Sequence, residues 1–379
     1  MRYLIPEFTG LGDIIQKTPM IKTIRELDPG AQVFLIGDNR WGGLDVIKDS
    51  PLIDDSCNVI KLVGLELPRK YDNQDLINLY RKLNRKQLNL IRDWINSKEW
   101  EAFFQNHQGD IPQELSQLIE ESGNGKVFKH VEIENGIKNE RTRLFRKRET
   151  VVDAVAVPVL KGRHDIDANY DLLEYCQNRP IARSYDTWTS LGANQKYLKN
   201  WNLKKNNYIC FQPGAANGSP TPKTWSARNF VDLSRRLINE HGKTVVLLGD
   251  AGDQDHIISR WNWPSGIVNT AGKTSLGELA SLIGNASCVV VHDSGIMHLA
   301  NAMDIPLVAL YGPTDYTATR PLGKKSTILF SKTAAFATMY SSGLSEKTLA
   351  EEYPNNSAME AITVAQVENA VTNSLSKFN

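Results

Sequence analysis

Residues 289–298 read VVVHDSGIMH. Three successive valines form a short apolar run, which is typical of a strand buried on both faces of a parallel sheet. The small and polar residues that follow allow the chain to turn directly into a helix. Apolar strands alternate with helical segments on both sides of this stretch, and we expect further strands at 207–212, 244–249, 266–270 and 306–311. The alternation predicts an α/β domain with a parallel, doubly wound sheet.

The beginning of the chain has the same organisation. Residues 2–8 predict a strand, residues 9–13 (TGLGD) a glycine-rich turn, residues 14–27 a helix and residues 32–37 a second strand. A strand that returns after a crossover helix is the unit of a parallel sheet. We therefore expect a second Rossmann-like lobe here.

A chain of 379 residues is long enough for two lobes, each with its own core. We expect a first lobe at 1–185, a second lobe at 186–355 and a terminal helical segment at 356–379. Within the first lobe, residues 64–148 suggest helices broken by glycines and end in a basic cluster. We interpret this stretch as an insertion.

Composition excludes several classes of partner. Lys and Arg total 44 against 43 Asp and Glu, so the net charge of +1 gives no general attraction to nucleic acid. The four cysteines are scattered without zinc-ligand spacing, which favours a reducing cytoplasm. No apolar run approaches the roughly 18 residues of a membrane span. We expect a soluble, cytoplasmic protein, and peripheral contact with the inner membrane stays open.

The junction between the strand and the helix at 292–295 is a candidate anion site. Helix N-termini present unpaired N–H groups and a partial positive charge, so His292, Asp293, Ser294 and Gly295 could surround a diphosphate. The alternative is that Asp293 or Ser294 only caps the helix and that His298 is a packed helix residue.

Two other loops follow predicted strands of the second lobe. Lys223 is a candidate phosphate cation and Thr224 a hydroxyl donor, since ligands bind at the carboxyl ends of parallel strands. Asp253 could bind ribose hydroxyls or cap the next helix. A solvated lysine is the alternative for Lys223.

The first turn places Asp13 where a carboxylate could take a proton from a hydroxyl, although capping of the helix explains it equally well. A dinucleotide fingerprint would need Gly or Ala at position 15, which is Ile15. Similarly, a P-loop ending at residues 272–274 would need Gly at position 267, which is Ile267. The basic run 141–148, with Arg141 and Arg143, either meets phosphates of an acceptor or forms a solvated face.

Several motifs together resemble glycosyltransferase family 9, the heptosyltransferase-like family whose best-known members add heptose to the lipopolysaccharide inner core. The segments that carry the resemblance are Gly12-Asp13, Thr18-Pro19, Pro213-Gly214-Ala215, Lys223, Trp225, residues 272–276, residues 293–300 and residues 310–314.

The resemblance implies a GT-B fold, with two Rossmann-like lobes facing across a cleft and a terminal helix that packs back toward the first lobe. It implies an inverting enzyme without metal or cofactor that moves a sugar, heptose in the best-known members, from an ADP-sugar to a glycan, lipopolysaccharide-core or other saccharide acceptor. Asp13 matches the proposed general base. The predicted donor contacts are Lys223, Thr224, Asp253, His292, Asp293, Ser294, Gly295, His298 and Thr314.

Gln16-Lys17 departs from the residues common in the family, so we expect an additional cation near the base to influence the acceptor. Gly12, Lys17, Arg141 and Arg143 are the predicted acceptor contacts. Two alternatives stay open, a nucleotide-sugar-binding protein without catalysis and a nicotinamide oxidoreductase that uses Asp38 on a ribose.

Overall fold

The computed structural model describes residues 1–67, 73–105, 115, 118–119, 121, 125–134, 137–138, 154–160, 162–214, 221–331 and 356–378. The chain divides into two compact units, Met1–Ser190 and Leu191–Asn379. The division falls a few residues after the predicted end of the first lobe at residue 185.

The described part of unit 1 forms a sheet flanked by helices. Its strands are β1 (Arg2–Glu7), β2 (Gln32–Gly37), β3 (Asp55–Asn58), β4 (Ala102–Gln105), β5 (Lys126–Glu134), β6 (Ile137–Lys138) and β7 (Ala154–Leu160). Its helices are α1 (Leu11–Leu27), α2 (Val59–Leu62), α3 (Asn73–Arg81), α4 (Arg85–Asn96) and α5 (Asp165–Gln177). The strand order is β3-β2-β1-β4-β5-β6, with β7 also paired to β5. All described pairs are parallel except that of β5 with β6.

Unit 2 repeats this arrangement. Its strands are β8 (Tyr208–Phe211), β9 (Thr244–Leu247), β10 (Ile267–Asn269), β11 (Cys288–His292), β12 (Leu307–Tyr311) and β13 (Ser326–Phe330). Its helices are α6 (Ala227–Asn239), α7 (Ala251–His256), α8 (Leu276–Gly284), α9 (Gly295–Ala302), α10 (Tyr316–Thr319), α11 (Ser357–Glu360) and α12 (Val364–Phe378). The described strands are all parallel and lie in the order β10-β9-β8-β11-β12-β13.

Each sheet has one switch point at which the strand order changes direction. It lies between β1 and β4 in unit 1 and between β8 and β11 in unit 2. Ligands of open parallel sheets bind outside the carboxyl ends of the strands at such switch points. Strand β11 is buried along its whole length, as its valines predict. The predicted class, α/β with two Rossmann-like units, is confirmed.

The interpretation of residues 64–148 as an insertion is wrong. Strand β4 pairs with β1 in the middle of the sheet, and β5 lies beside β4. The helical periodicity of the preceding segment dominates the sequence pattern, whereas β4 has only four residues and leaves a weak signal. The basic cluster 141–148 lies outside the described residues.

Helix α1 accommodates Pro19 through its neighbour. Proline lacks an N–H, so the carbonyl of Ile15 loses its helical donor. The hydroxyl of Thr18 donates to that carbonyl at 2.6 Å, and Trp188 donates its indole N–H to the carbonyl of Thr18 at 2.9 Å. The Thr18-Pro19 pair therefore fastens the segment that ends unit 1.

Helix α12 packs on α6 and on the sheet of unit 2, and Val367 and Val371 are fully buried there. Residues 356–378 are thus part of the core of unit 2. The predicted return of this helix toward the first lobe stays a prediction. In the described ranges we find no helix with the length and apolarity needed to cross a membrane.

Candidate functional site

The switch point of unit 2 brings together the loops that follow β8 and β11. Residues 209–211 of β8 pair in register with residues 288–290 of β11, so both strands end at the same edge of the sheet. Ser294 precedes α9 and donates its hydroxyl to Gln212 across this edge at 2.6 Å. The Ser294 side chain makes no capping hydrogen bond to α9, so the interpretation of Ser294 as a simple helix cap is wrong.

His292 joins two loops at this edge and is completely buried. Its Nδ1 lies 3.0 Å from the carbonyl oxygen of Gly214, and its Nε2 accepts the backbone N–H of Trp225 at 2.9 Å. Since an N–H donor cannot bond to a protonated Nε2, the ring is neutral with its proton on Nδ1. Burial lowers the pKa of His292 to about 4. The structure therefore makes His292 a positioning residue rather than the donor contact that we predicted.

Asp293 and Lys223 form the charged part of the site. Both side chains are buried, at 7% and 8% exposure. Burial raises the pKa of Asp293, while the Lys223 ammonium opposes this increase and therefore lies close enough to act on the carboxylate. The nearby Thr314 hydroxyl also lowers the pKa of Asp293. Its Oγ1 is buried and makes no hydrogen bond of good geometry to the described residues. The structure thus groups three predicted donor contacts.

Thr224 and Asp253 have internal partners. The Thr224 hydroxyl donates to the carbonyl of Thr221 at 2.7 Å and accepts its N–H at 3.1 Å. Asp253 is 4% exposed and exchanges capping hydrogen bonds with Asp250 at the start of α7. These contacts favour loop-building roles over direct donor contacts.

The second oxygen of Asp253 has a different environment. A Cβ on Gly214 would lie 1.7 Å from Oδ1, so this loop fits directly against the carboxyl group. Oδ1 is buried without a hydrogen-bond partner among the described residues. Burial raises the pKa of Asp253 to about 7, and the Asp250 charge acts in the same direction.

Gly295 and His298 complete the predicted donor set on α9. Gly295 is the first helical residue, directly after the junction. His298 lies one turn further along and is 6% exposed. Their contacts with a donor stay predictions.

The turn between β1 and α1 is organised by Glu7, which is 2% exposed. Its Oε1 accepts the N–H groups of Thr9 and Gly10 at 2.9 Å each, and its Oε2 lies 2.5 Å from the ammonium of Lys17. Lys17 is 1% exposed and also donates to the carbonyl of Pro6. This placement favours a structural role for Lys17 over the predicted acceptor contact.

Gly12 and Asp13 lie in the first turn of α1, at the carboxyl end of β1, and both are partly exposed. Ligands of open parallel sheets bind at this edge near the switch point, so Gly12 and Asp13 lie where they can contact a ligand. The predicted acceptor contacts Arg141 and Arg143 lie outside the described residues.

Asp38 does not suit a ribose contact. Its carboxylate is fully buried, receives the guanidinium of Arg40 at 2.7 and 3.0 Å and accepts the Tyr80 hydroxyl at 3.0 Å. The oxidoreductase interpretation thereby loses the residue on which it depended.

Glu7, Gln212 and Trp41 belong to these edges and were missed from the sequence. Gln212 directly follows a buried strand, and the predicted end of that strand would have been enough to mark it as a candidate site residue. Glu7 is a carboxylate within an apolar strand, and Lys17, ten positions later, could have indicated that the two form a buried pair. Trp41 lies in the turn after β2 with a left-handed backbone, φ 47° and ψ 25°, and the sequence gives no signal for this conformation.

Comparisons with known proteins identify the family and the type of fold. Residues 133–346, more than half of the chain, match the family model described as glycosyltransferase family 9 (heptosyltransferase). Lipooligosaccharide heptosyltransferase 2 of Haemophilus influenzae is 34% identical over 190 residues, which are 48% of this chain and 48% of that protein. The matched region therefore spans about half the length of this relative.

Two solved structures show the same fold at lower identity. A glycosyl transferase family 9 protein from Veillonella parvula aligns with a TM-score of 0.72 and 20% identity, covering 99% of this chain and 97% of that chain. The heptosyltransferase WaaC of E. coli, solved with ADP, aligns with a TM-score of 0.65 and 17% identity over 99% and 100% of the two chains. The predicted GT-B type of fold is confirmed by these similarities, and the chain belongs to glycosyltransferase family 9, the heptosyltransferase family.

Proposed function

We propose that the protein is an inverting, metal-independent glycosyltransferase that moves a sugar from an ADP-sugar to a saccharide acceptor. Unit 2 binds the donor and unit 1 binds the acceptor. The buried Lys223, whose charge acts on Asp293 directly before the N-terminus of α9, is the observation that carries the proposal.

The donor diphosphate is assigned to the junction of β11 and α9. A leaving diphosphate develops negative charge as the bond to the anomeric carbon breaks, and fixed positive groups lower the energy of that state. Lys223 supplies a full charge, and the first N–H groups of α9 supply a partial one. These groups take the part that a divalent cation plays in other transferases.

Asp13 is assigned the role of general base. It removes the proton from an acceptor hydroxyl while the oxygen attacks the anomeric carbon from the face opposite the diphosphate. Direct displacement of this kind inverts the configuration at that carbon. The partial exposure of Asp13 at the carboxyl edge of unit 1 supports the assignment.

The family supports ADP-heptose as the donor and a lipopolysaccharide-core saccharide as the acceptor. The relative from H. influenzae is a lipooligosaccharide heptosyltransferase, and WaaC of E. coli was solved with ADP and with ADP-2-deoxy-2-fluoro heptose. The four cysteines are all unpaired, which fits a reducing compartment, so we also propose that the protein acts in the cytoplasm, against the inner membrane.

Two substitutions test the separate parts. Asp13→Asn should reduce transfer from ADP-heptose at least about 100-fold and leave ADP binding unchanged, because general base catalysis contributes about 10²–10⁴-fold.

Lys223→Met should weaken ADP binding, measured as protection against thermal unfolding, and Lys205→Met on an exposed loop is its control.

For the wild type, ADP at about 100 times its dissociation constant should add about 2.7 kcal/mol to the free energy of unfolding. Full activity of the Asp13→Asn variant would remove Asp13 from the mechanism. A wild type that binds ADP but transfers sugar to no saccharide would favour the binding protein without catalysis.

A further inference from the structure

Trp41 has an unusual backbone conformation for its residue type. It lies in a short turn, Arg40–Gly42, after β2, with φ 47° and ψ 25°. Left-handed backbone is costly for a bulky side chain, and glycine adopts it without strain. Residues held in this way concentrate at ligand-binding sites, where the surrounding structure maintains them.

The residues next to Trp41 in the chain are held by hydrogen bonds. On one side, the buried pair of Arg40 and Asp38 is reinforced by the hydroxyl of Tyr80. Asn39, which is also left-handed at φ 57°, donates its side-chain amide to Asp45 at 2.9 Å. These contacts fix the backbone before and after the tryptophan, so the strained conformation is maintained by the fold.

The indole ring lies beside the proposed base. A methyl group built on Gly10 would be 3.1 Å from Cε3 of Trp41 and 4.0 Å from Oδ2 of Asp13, so the ring and the carboxylate are on the same side of Gly10. Trp41 nevertheless keeps 37% of its surface exposed. A tryptophan that served only in packing would be more stable if it were fully buried, because burial of apolar surface is favourable. The exposed part of the Trp41 ring is therefore not explained by packing.

The loop that carries Trp41 also borders a depression of about 460 Å³ at the carboxyl ends of β2 and β3. It is lined by Asn39, Asp45, Lys48, Asn58 and Lys61 together with the apolar side chains of Leu44, Leu62 and Trp94. Trp41 and Asp13 do not line it, so it is a neighbouring surface and not the space over the indole ring. Its amide, carboxylate and ammonium groups suit a hydroxylated molecule that carries charge.

We propose that Trp41 is the stacking platform for the acceptor saccharide, which lies on the indole face with its reacting hydroxyl toward Asp13. A pyranose ring presents C–H groups on its faces and hydroxyls around its rim, so an indole face buries the former while leaving the latter to polar partners. The inference rests on the proposed function and deepens it, since it names the residue that selects and orients the acceptor.

The test compares Trp41→Phe and Trp41→Gly with the wild type. Glycine removes the platform and fits the left-handed conformation without strain, while phenylalanine keeps a smaller ring. Trp261→Phe, at an exposed tryptophan of unit 2 (41% exposed), is the control. The probe is a deacylated lipopolysaccharide inner-core oligosaccharide, titrated by isothermal titration calorimetry without donor and then used as acceptor with ADP-heptose.

We expect saccharide binding to weaken about tenfold in Trp41→Gly and less in Trp41→Phe, with acceptor KM rising in parallel. ADP binding and the unfolding temperature should stay close to the wild-type values, and Trp261→Phe should behave as the wild type. Unchanged saccharide binding in Trp41→Gly would overturn the role of Trp41 while leaving the proposed function intact.

Equal losses of ADP binding, saccharide binding and unfolding temperature would also overturn it, because they would indicate a structural role. If the Trp41 variants bind saccharide more weakly but the wild type transfers no sugar, the role of Trp41 is supported and the proposed activity is contradicted. A wild type that binds no saccharide would contradict both.

Discussion

The imidazole of His292 donates to one loop and accepts from another, so only its neutral form fits. Sequence alone suggested that its position beside Asp293 made it a ligand contact. The sequence could not reveal the real partners, because they are backbone groups of Gly214 and Trp225, far away along the chain. At this scale, residue type and position locate the site but do not separate contacts from supports.

The pH dependence of stability tests the role of His292. Its pKa is lowered from 6.5 to about 4 in the folded protein, so between these values the unfolded state binds the proton and the folded state does not. The contribution to stability is fully present above pH 6.5 and is lost as the pH falls toward 4. His292→Gln should lack this component in urea unfolding between pH 4.5 and 7.5. His256→Gln, at an exposed histidine of unit 2, should retain it.

Asp253 should produce the opposite dependence. Burial raises its pKa from 3.8 to about 7, so the folded state retains a proton that the unfolded state has released. This contribution is fully present below pH 3.8 and disappears as the pH rises through about 7. Asp253→Asn mimics the protonated form and should therefore be more stable than the wild type at pH 8 and similar to it at pH 4. The exposed Asp232→Asn should show no such gain.

The turn from β1 into α1 shows how a single element prepares a site. Prediction of the strand and helix was correct to within a few residues, because apolar periodicity and the glycines mark their ends. The buried pair of Glu7 and Lys17 that closes this turn was not predicted. Lysine on a helix is usually solvated, and only the assembled unit shows that this side chain points inward.

Lys17→Met should destabilise unit 1 by about 3–5 kcal/mol, because it leaves the buried Glu7 carboxylate without its cation. The double variant Glu7→Gln with Lys17→Met should recover part of that loss. The exposed pair of Lys22 and Glu26 offers a matched control, and Lys22→Met should cost less than about 0.5 kcal/mol. Chemical unfolding of the three variants measures these differences. A loss from Lys17→Met no larger than the control would argue against a buried pair.

At the scale of the whole molecule, the sequence predicted two Rossmann-like units, and the two parallel sheets confirm that class of fold. The alternation of strands and helices carries that information, and motif order identified the family. Assignment of residues 64–148 to an insertion failed because β4 is short and because a central strand cannot be recognised without its neighbours. Long-range pairing is the information that periodicity lacks.

Helix α12 belongs to the core of unit 2, and Val371 is fully buried within it. A charge at this position would have to be desolvated without a partner, so Val371→Asp should lower the unfolding temperature strongly and abolish ADP binding. Asn373→Asp, on the exposed face of the same helix, is the control and should change neither value by much. Wild-type ADP binding by Val371→Asp would separate the last helix from the donor site.

The backbone N–H of Trp225 donates to a buried imidazole nitrogen, and this arrangement makes it a natural spectroscopic reporter. Its amide hydrogen can exchange with deuterium only when the loop that contains Trp225 separates from His292. One slowly exchanging proton in an NMR spectrum would therefore record how often this edge of unit 2 opens. A ligand that holds this loop in place should slow that exchange, whether or not any sugar is transferred.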